Sequence, residues 1–559
     1  MISEQVSHQL ERLVAIGLPA VSLLVVTGKV TDPVNAPKFL LLGGIAVASV
    51  LLCVSNYFGS TKEKLSIFNI LLFLFAGWSL VVSILSKSPL SQNMYGLYGR
   101  NTGFLTYLFL IFILFSITHL KAHKQIKNVL VGFGVVVILN LIYGLWVKFF
   151  GDFIAWSNPY KALLGTFGNP NFISAFFGMA IGPLFAMVLK GNLKVKFVSC
   201  CLLLITFFEL FQADSLQGFI VSAVSTWLVT TAWASSVEKG RKFSLPVFGI
   251  GAATGVVAVI GALGSGPLAR LVEQPTVTLR QQYWYAAWKM GLQNPFFGVG
   301  MDSYGDWYRR ARGAKSLINP GPETVTNVAH NVYLDIFAYG GFPLFVLYIA
   351  IMSWSGYLAF KLILTSKDFD LVSVSVAVIF LAYQIQSIIS INQIGLAVWG
   401  WASAGLLIAL DRIQRSSQSV NSKGIKKSVH VSVLSPQLVT FLGFLLGLLI
   451  SCPPVSADMK WANALKSSQL TNLENSLENR YLSPNNSLRM AQAVETLERS
   501  NLHDFAIKYA RQGVIFNPQS FNAWQMLYYS KNASSSEKAR ARDKMKQLDP
   551  LNPKWKKLS

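Results

Sequence analysis

The residues best suited to chemistry lie in one short segment, Val328 to Gly341, where a long polar stretch gives way to an apolar one. The segment contains His330 and Asn331, and this histidine is one of only six in 559 residues. An imidazole titrates near neutral pH, so its neutral form can accept the proton of an attacking hydroxyl. We therefore predict that His330 acts as a general base or orients an acceptor, and that Asn331 orients the imidazole or the acceptor.

Two alternatives compete with this assignment. In the first, His330 is a hydrogen-bonding or capping histidine at the start of a helix and takes no part in chemistry. In the second, the base is Asp302, Asp306 or Asp335, although an unperturbed carboxylate is a weak base at pH 7. We favour His330 because it is the only histidine near the arginines of the preceding segment.

That preceding segment combines a cation with aromatic rings. Arg280, Trp284 and Trp288 recur at every fourth position, so on a helix they share one face. Aromatic rings with polar tips are typical of a helix that lies in the headgroup layer of a membrane, but this does not account for the arginine. A guanidinium can make a two-pronged contact with a phosphate, and the tryptophan rings can stack on sugars. We predict a catalytic role for Arg280 through such a phosphate contact, and substrate contacts for Trp284 and Trp288.

Further polar residues join this predicted site. Asn169 and Asn171 flank a proline that excludes the first of them from helical geometry, and Asn171 is expected to cap a helix whose start can face an anion. Arg100 either extends from a helix end to the membrane surface or binds phosphate. Arg309 and Arg310 are expected to bind substrate or anionic headgroups.

Composition identifies the class of protein that must position these residues. Hydrophobic residues make up 52% of the sequence and charged residues 13%, with a mean hydropathy of +0.45, whereas soluble proteins carry about 25% charged residues. We predict an all-α, polytopic membrane protein of about 12 to 13 transmembrane helices, since a span takes roughly 20 apolar residues. The expected centres are Ser22, Val47, Leu74, Leu110, Val137, Gly178, Leu204, Val224, Val256, Phe345, Val378, Ala402 and Leu445.

The net charge of +23 is distributed as in a membrane protein, so we predict no nucleic-acid partner. Basic residues concentrate in the even-numbered connections between spans and are sparse in the odd-numbered ones. Because cytoplasmic loops are enriched in lysine and arginine, we expect a cytoplasmic N-terminus and an outer location for both the long loop and the C-terminal region. The even-numbered clusters are Lys62–Lys64, Lys121–Lys127, Lys190–Lys196, Lys239–Lys242, Lys361–Lys367 and Arg412–Lys427.

The chain divides into four predicted regions. Residues 1–264 and 331–452 form the two sets of transmembrane helices, and residues 265–330 form a large outer loop. Residues 453–559 are polar and helix-forming, and Pro484, Pro518 and Pro550 follow the roughly 34-residue period of tetratricopeptide repeats. We predict a helical-repeat domain that packs on the membrane domain or on a protein partner.

Several of these motifs resemble those of the O-antigen ligase and polymerase superfamily, over roughly residues 10 to 412. Two departures concern Leu344, where a small residue or tyrosine is usual, and Gln217, which stands at a position often held by arginine. The segments that carry the resemblance are Asp32-Pro33, Pro37-Lys38, Gly99 to Gly103, Gly168 to Asn171, Arg280, Gly298 to Gly300, and His330-Asn331 with Gly341.

The resemblance implies a membrane glycosyltransferase of the all-helical type in the bacterial inner membrane, with its C-terminal domain in the periplasm. Its donor would be a glycan on undecaprenyl pyrophosphate, and its acceptor a lipid, glycan or protein hydroxyl; no cofactor and no metal are expected. Membrane lipids are the other expected partners. The alternatives are an O-antigen or exopolysaccharide polymerase, a protein O-oligosaccharyltransferase and, from another class, a lipid-linked glycan transporter. A transporter is expected to carry polar residues inside several spans and repeats in its two halves.

Overall fold

The computed structural model describes residues 3–55, 66–262, 275–365, 367–419 and 434–556. These residues form helices and contain no β-strand beyond one isolated bridge, which confirms the all-α prediction. The membrane domain contains α1 (Glu4–Leu23), α2 (Asn35–Ser55), α3 (Ile67–Leu85), α4 (Leu90–Tyr95), α5 (Phe104–Ile117), α6 (His123–Phe150), α7 (Pro170–Lys190), α8 (Leu193–Ala213), α9 (Leu216–Ser236), α10 (Arg241–Ala262), α11 (Pro275–Gln293), α12 (Tyr304–Ala311), α13 (Val332–Thr365), α14 (Leu371–Ile389), α15 (Ile394–Ser419) and α16 (Pro436–Ser467).

Ten of the described helices are long and apolar enough to cross a membrane, so the chain is a multi-pass membrane protein. Three more, α1, α5 and α8, coincide with predicted spans but are shorter or carry charged residues. The first predicted centre, Ser22, is misplaced, because α1 begins at Glu4 and ends at Leu23. The polar stretch at its start is itself helical and buries Val6 and Leu10 against the neighbouring helices.

The connections with few basic residues converge on one face of the helix bundle. The Asn35 Nδ2 donates a hydrogen bond to the Gly99 carbonyl at 2.8 Å, and the Gln393 Nε2 donates to the Asn35 Oδ1 at 3.4 Å. At the opposite face, the His123 Nε2 lies 2.9 Å from the Asp370 Oδ2. We call the first of these the outer face, following the orientation expected from the charge distribution.

The helix α13 is interrupted at Gly341, where φ is 65° and ψ is −162°. The break frees backbone groups that cannot stay unpaired inside a membrane, and the segment after α11 pairs with them. The Val299 and Gly300 N–H groups donate to the carbonyls of Ala338 and Tyr339 at 2.8 and 3.0 Å. The two glycine-containing motifs thus meet, and they fix the outer part of α13 against the end of α11.

The last membrane helix, α16, packs closely on α2. A Cβ on Gly447 would come 2.2 Å from the Gly43 carbonyl oxygen, so only glycine allows this approach. The Ser451 Oγ donates to the Leu40 carbonyl at 2.9 Å. Because α16 continues to Ser467, the boundary predicted at residue 453 falls inside one helix.

The C-terminal region is an array of short helices with its own core. This core contains Trp461, Trp524 and Trp555, each almost fully buried. The region is helical as predicted, while its assignment to tetratricopeptide repeats stays a prediction. Its helices are α17 (Leu470–Leu477), α18 (Ser487–Arg499), α19 (His503–Phe516), α20 (Phe521–Tyr529), α21 (Ser535–Leu548) and α22 (Pro553–Lys556).

Candidate functional site

His330 lies at the outer face, just before α13 begins. Its imidazole stacks on the Tyr283 ring with centroids 5.7 Å apart, and it makes no hydrogen bond to any residue that the structure describes. Burial, assisted by the positive charges of Arg280 and Arg100, lowers the pKa of His330 to about 4. The imidazole is therefore neutral at pH 7 and has an unoccupied acceptor nitrogen.

Arg280 lies in α11 and is half-buried. Within the described residues its guanidinium has neither an ion pair nor a hydrogen bond, and burial lowers the pKa of the group. Taking an uncompensated cation out of water is costly. The arrangement leaves Arg280 able to receive an anion close to His330, whose pKa its charge affects.

Arg100, in contrast, is held by several contacts. Its Nη2 lies 3.0 Å from the Asp302 Oδ1 and donates to the Tyr339 hydroxyl at 3.3 Å. Its Nη1 donates to the Asn327 carbonyl at 3.2 Å, while its buried Nε has no partner in the described part of the chain. Thr102 donates from its hydroxyl to the Asp302 Oδ2 at 2.9 Å. These contacts fix the position of the guanidinium and leave its buried Nε unused.

Three of the seven described non-glycine residues with a positive φ lie around this site. Asn101, Asp302 and His330 have φ values of 53°, 52° and 55°, in a region that non-glycine residues rarely adopt. Conformations of this kind persist where surrounding contacts enforce them, and they cluster at functional sites. Their occurrence beside Arg100 and Arg280 supports a functional interpretation of this end of the bundle.

A cavity of about 550 Å³ opens beside Arg100 at the outer face. Its lining includes Asn35, Asn169, Trp156 and Asn392. The Asn392 side chain is 6% exposed, and its Nδ2 has no partner among the described residues. Two residues of the lining, Arg100 and Asn392, thus carry unused donors, which suit a ligand with oxygen acceptors.

The competing bases are engaged in contacts of their own. Asp302 is bound to Arg100, as described above. Asp306 accepts a hydrogen bond from the Asn517 Nδ2 at 3.0 Å, and its burial raises its pKa. Asp335 accepts from the Ala329 N–H at 2.8 Å. These occupied carboxylates contrast with His330, whose imidazole is unoccupied within the described residues.

The polar segment before α7 folds differently from the prediction in one respect. Asn169, and not Asn171, caps the helix, since its Oδ1 accepts from the Asn171 N–H at 2.9 Å. Pro170 occupies the first helical position, where its missing N–H is no loss. The Asn171 Oδ1 instead accepts from the Ser215 hydroxyl at 2.7 Å and ties α7 to the start of α9.

The other residues predicted near His330 lie on the helices beside it. The Asn331 Oδ1 accepts from the Leu334 N–H at 3.1 Å, so this side chain caps α13. Trp288 packs on Phe337, with ring centroids 4.9 Å apart, and remains 47% exposed. The Trp284 Nε1 is buried without a partner in the described chain.

Arg309 and Arg310 contact the C-terminal region. The Arg309 Nη1 lies 3.1 Å from the Asp549 Oδ2, and the Arg310 Nη1 donates to the Gln519 Oε1 at 2.7 Å. Burial lowers the pKa of Arg310 to about 10. Because both guanidinium groups are engaged by residues of the C-terminal region, the substrate site proposed below does not include them.

Sequence reasoning missed three residues of this environment. Tyr283 stacks on His330, Tyr339 contacts Arg100, and Asn392 brings an unused donor to the cavity. Tyr283 stands in the aromatic segment beside Arg280, so its position on the helix could have indicated it. Tyr339 lies in the segment from Val328 to Gly341, and Asn392 lies in a short polar stretch between two apolar ones, but no spacing relates either residue to Arg100.

A family model described as O-antigen ligase matches residues 173–349. The match runs from α7 into α13 and includes both Arg280 and His330. No curated protein matches the chain. The match agrees with the motifs and with the all-helical membrane architecture, and it shows that residues 173–349 of the chain are similar to the O-antigen ligase family.

Proposed function

We propose that the protein is an O-antigen ligase-like glycosyltransferase, which moves a glycan from undecaprenyl pyrophosphate to an acceptor hydroxyl. The observation that carries this proposal is the pairing of a half-buried Arg280, without a counter-ion in the described chain, with a neutral His330 that lacks a hydrogen bond there. The first suits a pyrophosphate and the second suits a hydroxyl. Arg280 would serve the departure of the pyrophosphate, and His330 would serve the attack of the acceptor hydroxyl.

Arg280 and Arg100 are proposed to stabilise the leaving group. As the glycan departs, negative charge builds on the pyrophosphate oxygen, and fixed cations at that point lower the barrier. Arg280 contributes a charge that no described residue compensates, while Arg100 is positioned by Asp302 and retains its Nε as a donor. A planar guanidinium can hold two phosphate oxygens at once.

His330 is proposed to be the general base. The acceptor oxygen forms a bond to the anomeric carbon, and its proton passes to the imidazole. The bond from that carbon to the pyrophosphate oxygen breaks, and its electron pair leaves with the pyrophosphate. A bound pyrophosphate offsets the charges of Arg280 and Arg100, so donor binding should raise the pKa of His330 from about 4 towards its usual value.

The cavity beside Arg100 is proposed to hold part of the glycan. Its volume of about 550 Å³ suits a few sugar units. Its amide side chains and the Trp156 ring are groups that hydrogen-bond to hydroxyls or pack on sugar faces. The unused donors of Arg100 and Asn392 support oxygen-rich ligands of this class.

The acceptor and the location complete the proposal. The acceptor hydroxyl is proposed to belong to a lipid A core, a growing glycan or a protein, and glycans extracted from a deletion strain would distinguish these. The protein is proposed to lie in the bacterial inner membrane with the site and the C-terminal region in the periplasm. The charge distribution of the connections supports this orientation.

Substitutions at Arg280 test the assignment of the leaving-group site. Arg280→Ala should lower donor affinity and abolish transfer while the protein remains folded. Arg280→Lys should recover only part of the activity, because an ammonium lacks the planar two-pronged contact. Binding of lipid-linked donor and glycan transfer would be measured with purified protein.

The matched control is Lys315→Ala, which removes an exposed positive charge from the same outer segment. It should leave donor binding and transfer close to those of the wild-type protein. Full transfer by Arg280→Ala, or an equal loss in both variants, would show that the effect is one of overall charge and not of a specific site.

A further inference from the structure

A buried ion cluster joins the C-terminal region to the outer segment that carries the proposed site. The Arg312 Nη2 lies 2.7 and 2.9 Å from the two carboxylate oxygens of Asp549, and the Arg309 Nη1 lies 3.1 Å from the Asp549 Oδ2. Asp549 and Arg312 are 1% and 0% exposed. Both arginines also donate to the Pro322 carbonyl. Charges buried to this extent are tolerated only in a fixed geometry.

The turns at the other two repeat prolines, Pro518 and Pro484, face the membrane domain as well as the turn at Pro550. The Asn517 Nδ2 donates to the Asp306 Oδ2 at 3.0 Å, and the Arg310 Nη2 donates to the Gln519 carbonyl at 3.1 Å. The Asn485 carbonyl accepts a hydrogen bond from the start of α4. Each of the three proline-containing turns therefore makes polar contacts with the membrane domain. Two of the three turns contact α12.

From α12, aromatic contacts lead directly to His330. The Tyr304 hydroxyl donates to the Tyr283 carbonyl at 2.8 Å. The Tyr308 ring meets the Tyr283 ring edge to face, with centroids 5.9 Å apart, and Tyr283 stacks on His330. Tyr304 and Tyr308 are fully buried, so a shift of α12 displaces Tyr283 and the imidazole with it.

We infer that the C-terminal region is a positioning element for the reaction site, with Asp549 as the residue that fixes α12 and, through Tyr308 and Tyr283, the His330 imidazole. The inference rests on the proposed function insofar as it assigns a catalytic purpose to that imidazole. It adds a role for a region outside the part matched to the family, and it explains why two arginines of the outer segment are buried against that region.

Asp549→Asn removes the charge and keeps the shape of the side chain. Arg309 and Arg312 are then left buried without this carboxylate, and α12 should shift to relieve them. We expect turnover to fall by about 10²-fold, which is the typical cost of a displacement of about 1 Å at a reacting group. The Michaelis constant for the donor should change less.

A second readout follows His330 itself and does not depend on glycan transfer. Diethyl pyrocarbonate modifies neutral imidazoles, and mass spectrometry of the peptide that contains His330 gives its rate of modification. In Asp549→Asn the imidazole should react faster, because Tyr283 no longer covers it. The matched control is Glu537→Gln, which removes an exposed ion pair with Arg511 in the same region and should leave both readouts unchanged.

The variant Tyr308→Leu removes the ring contact between α12 and Tyr283 while leaving the ion cluster of Asp549 intact. It is the test variant if Asp549→Asn does not fold. Faster modification of His330 in folded Asp549→Asn, or in Tyr308→Leu if only that variant folds, with wild-type behaviour of Glu537→Gln, would support the inference. Unchanged modification and turnover in folded Asp549→Asn, or in Tyr308→Leu if only that variant folds, would overturn it. Absence of transfer in the wild-type protein would count against the proposed function alone, since the modification rates still report positioning.

Discussion

At the scale of single residues, two unusual side chains lie near each other at the outer face. Arg280 has no counter-ion within the described residues, and His330 has no hydrogen-bond partner there. Groups of this kind are unfavourable in a structure that needs only to fold, because buried polar groups are normally paired. Their proximity is explained if a ligand brings a negative charge to one and a hydroxyl to the other.

The pKa of His330 gives a pH prediction with a defined sign. Without donor, burial and the charges of Arg280 and Arg100 hold this pKa near 4, so the free protein keeps a neutral base well below pH 6.5. Bound pyrophosphate weakens the repulsion and raises the pKa. The acid limb of kcat, which reports the donor complex, should therefore lie at higher pH than the acid limb of kcat/KM.

Transfer rates measured from pH 4 to pH 8 check this prediction. Arg280→Lys is the comparison, because it retains the positive charge. Changes in its activity therefore do not come from a change of charge. Coincident acid limbs near pH 6.5 for kcat and kcat/KM would mean that the two arginines do not govern the titration of the base.

At the scale of elements, the break in α13 sets the outer part of the helix against the end of α11. The Phe342 N–H donates to the Pro295 carbonyl at 2.7 Å, next to the strained Gly341. A Cβ on Gly341 would come 2.2 Å from the Pro295 oxygen. The segment after α11 and the break at Gly341 therefore depend on each other, although they lie in separate parts of the sequence.

Gly341→Ala should therefore disturb both helices at once. Its backbone conformation is essentially confined to glycine, and such strain costs about 1–3 kcal/mol. We expect a lower thermal transition in detergent and a loss of transfer. Gly134→Ala, in α6, is the matched control, because no described atom lies within 4 Å of the place that its Cβ would occupy. Equal stability of the two variants would contradict the account of the break.

Much of this architecture is predictable from the sequence, because transmembrane spans follow from runs of apolar residues and the charge pattern assigns the connections to two faces. The cap of α7 is harder to predict, since either Asn169 or Asn171 satisfies the local pattern, and the structure selects the first. The partners of Arg309 and Arg310 could not be predicted. Asp549 and Gln519, their partners in the C-terminal region, are more than two hundred positions away, and no local pattern reports such pairing.

At the scale of the whole molecule, the proposed site lies where the helix bundle meets the C-terminal region. The bundle supplies Arg100, Arg280 and His330, and the C-terminal region packs on the segment behind them. Such an arrangement requires the outer loop and the C-terminus to lie on the same side of the membrane. A further contact agrees with this topology. The carboxylate of Asp458, in α16, accepts a hydrogen bond from the Thr31 N–H at 2.9 Å, in the connection between α1 and α2.

Reporter fusions test this topology. A reporter that is active only outside the cytoplasm should function after Pro320 and after Ser559, and it should be inactive after Lys427. A cytoplasmic reporter at the same three positions is the control and should give the inverse pattern. Periplasmic activity at Lys427 would reverse the orientation and remove the site from the outer face.

The most direct test of the account is glycan transfer by purified His330→Ala, supplied with lipid-linked glycan and acceptor. A general base contributes about 10²–10⁴-fold in rate, so turnover should fall by this factor while donor affinity and folding are retained. His8→Ala, at an exposed histidine near the N-terminus, is the control and should transfer at the wild-type rate. Near-normal turnover by His330→Ala would contradict the assignment of the base and the central claim with it.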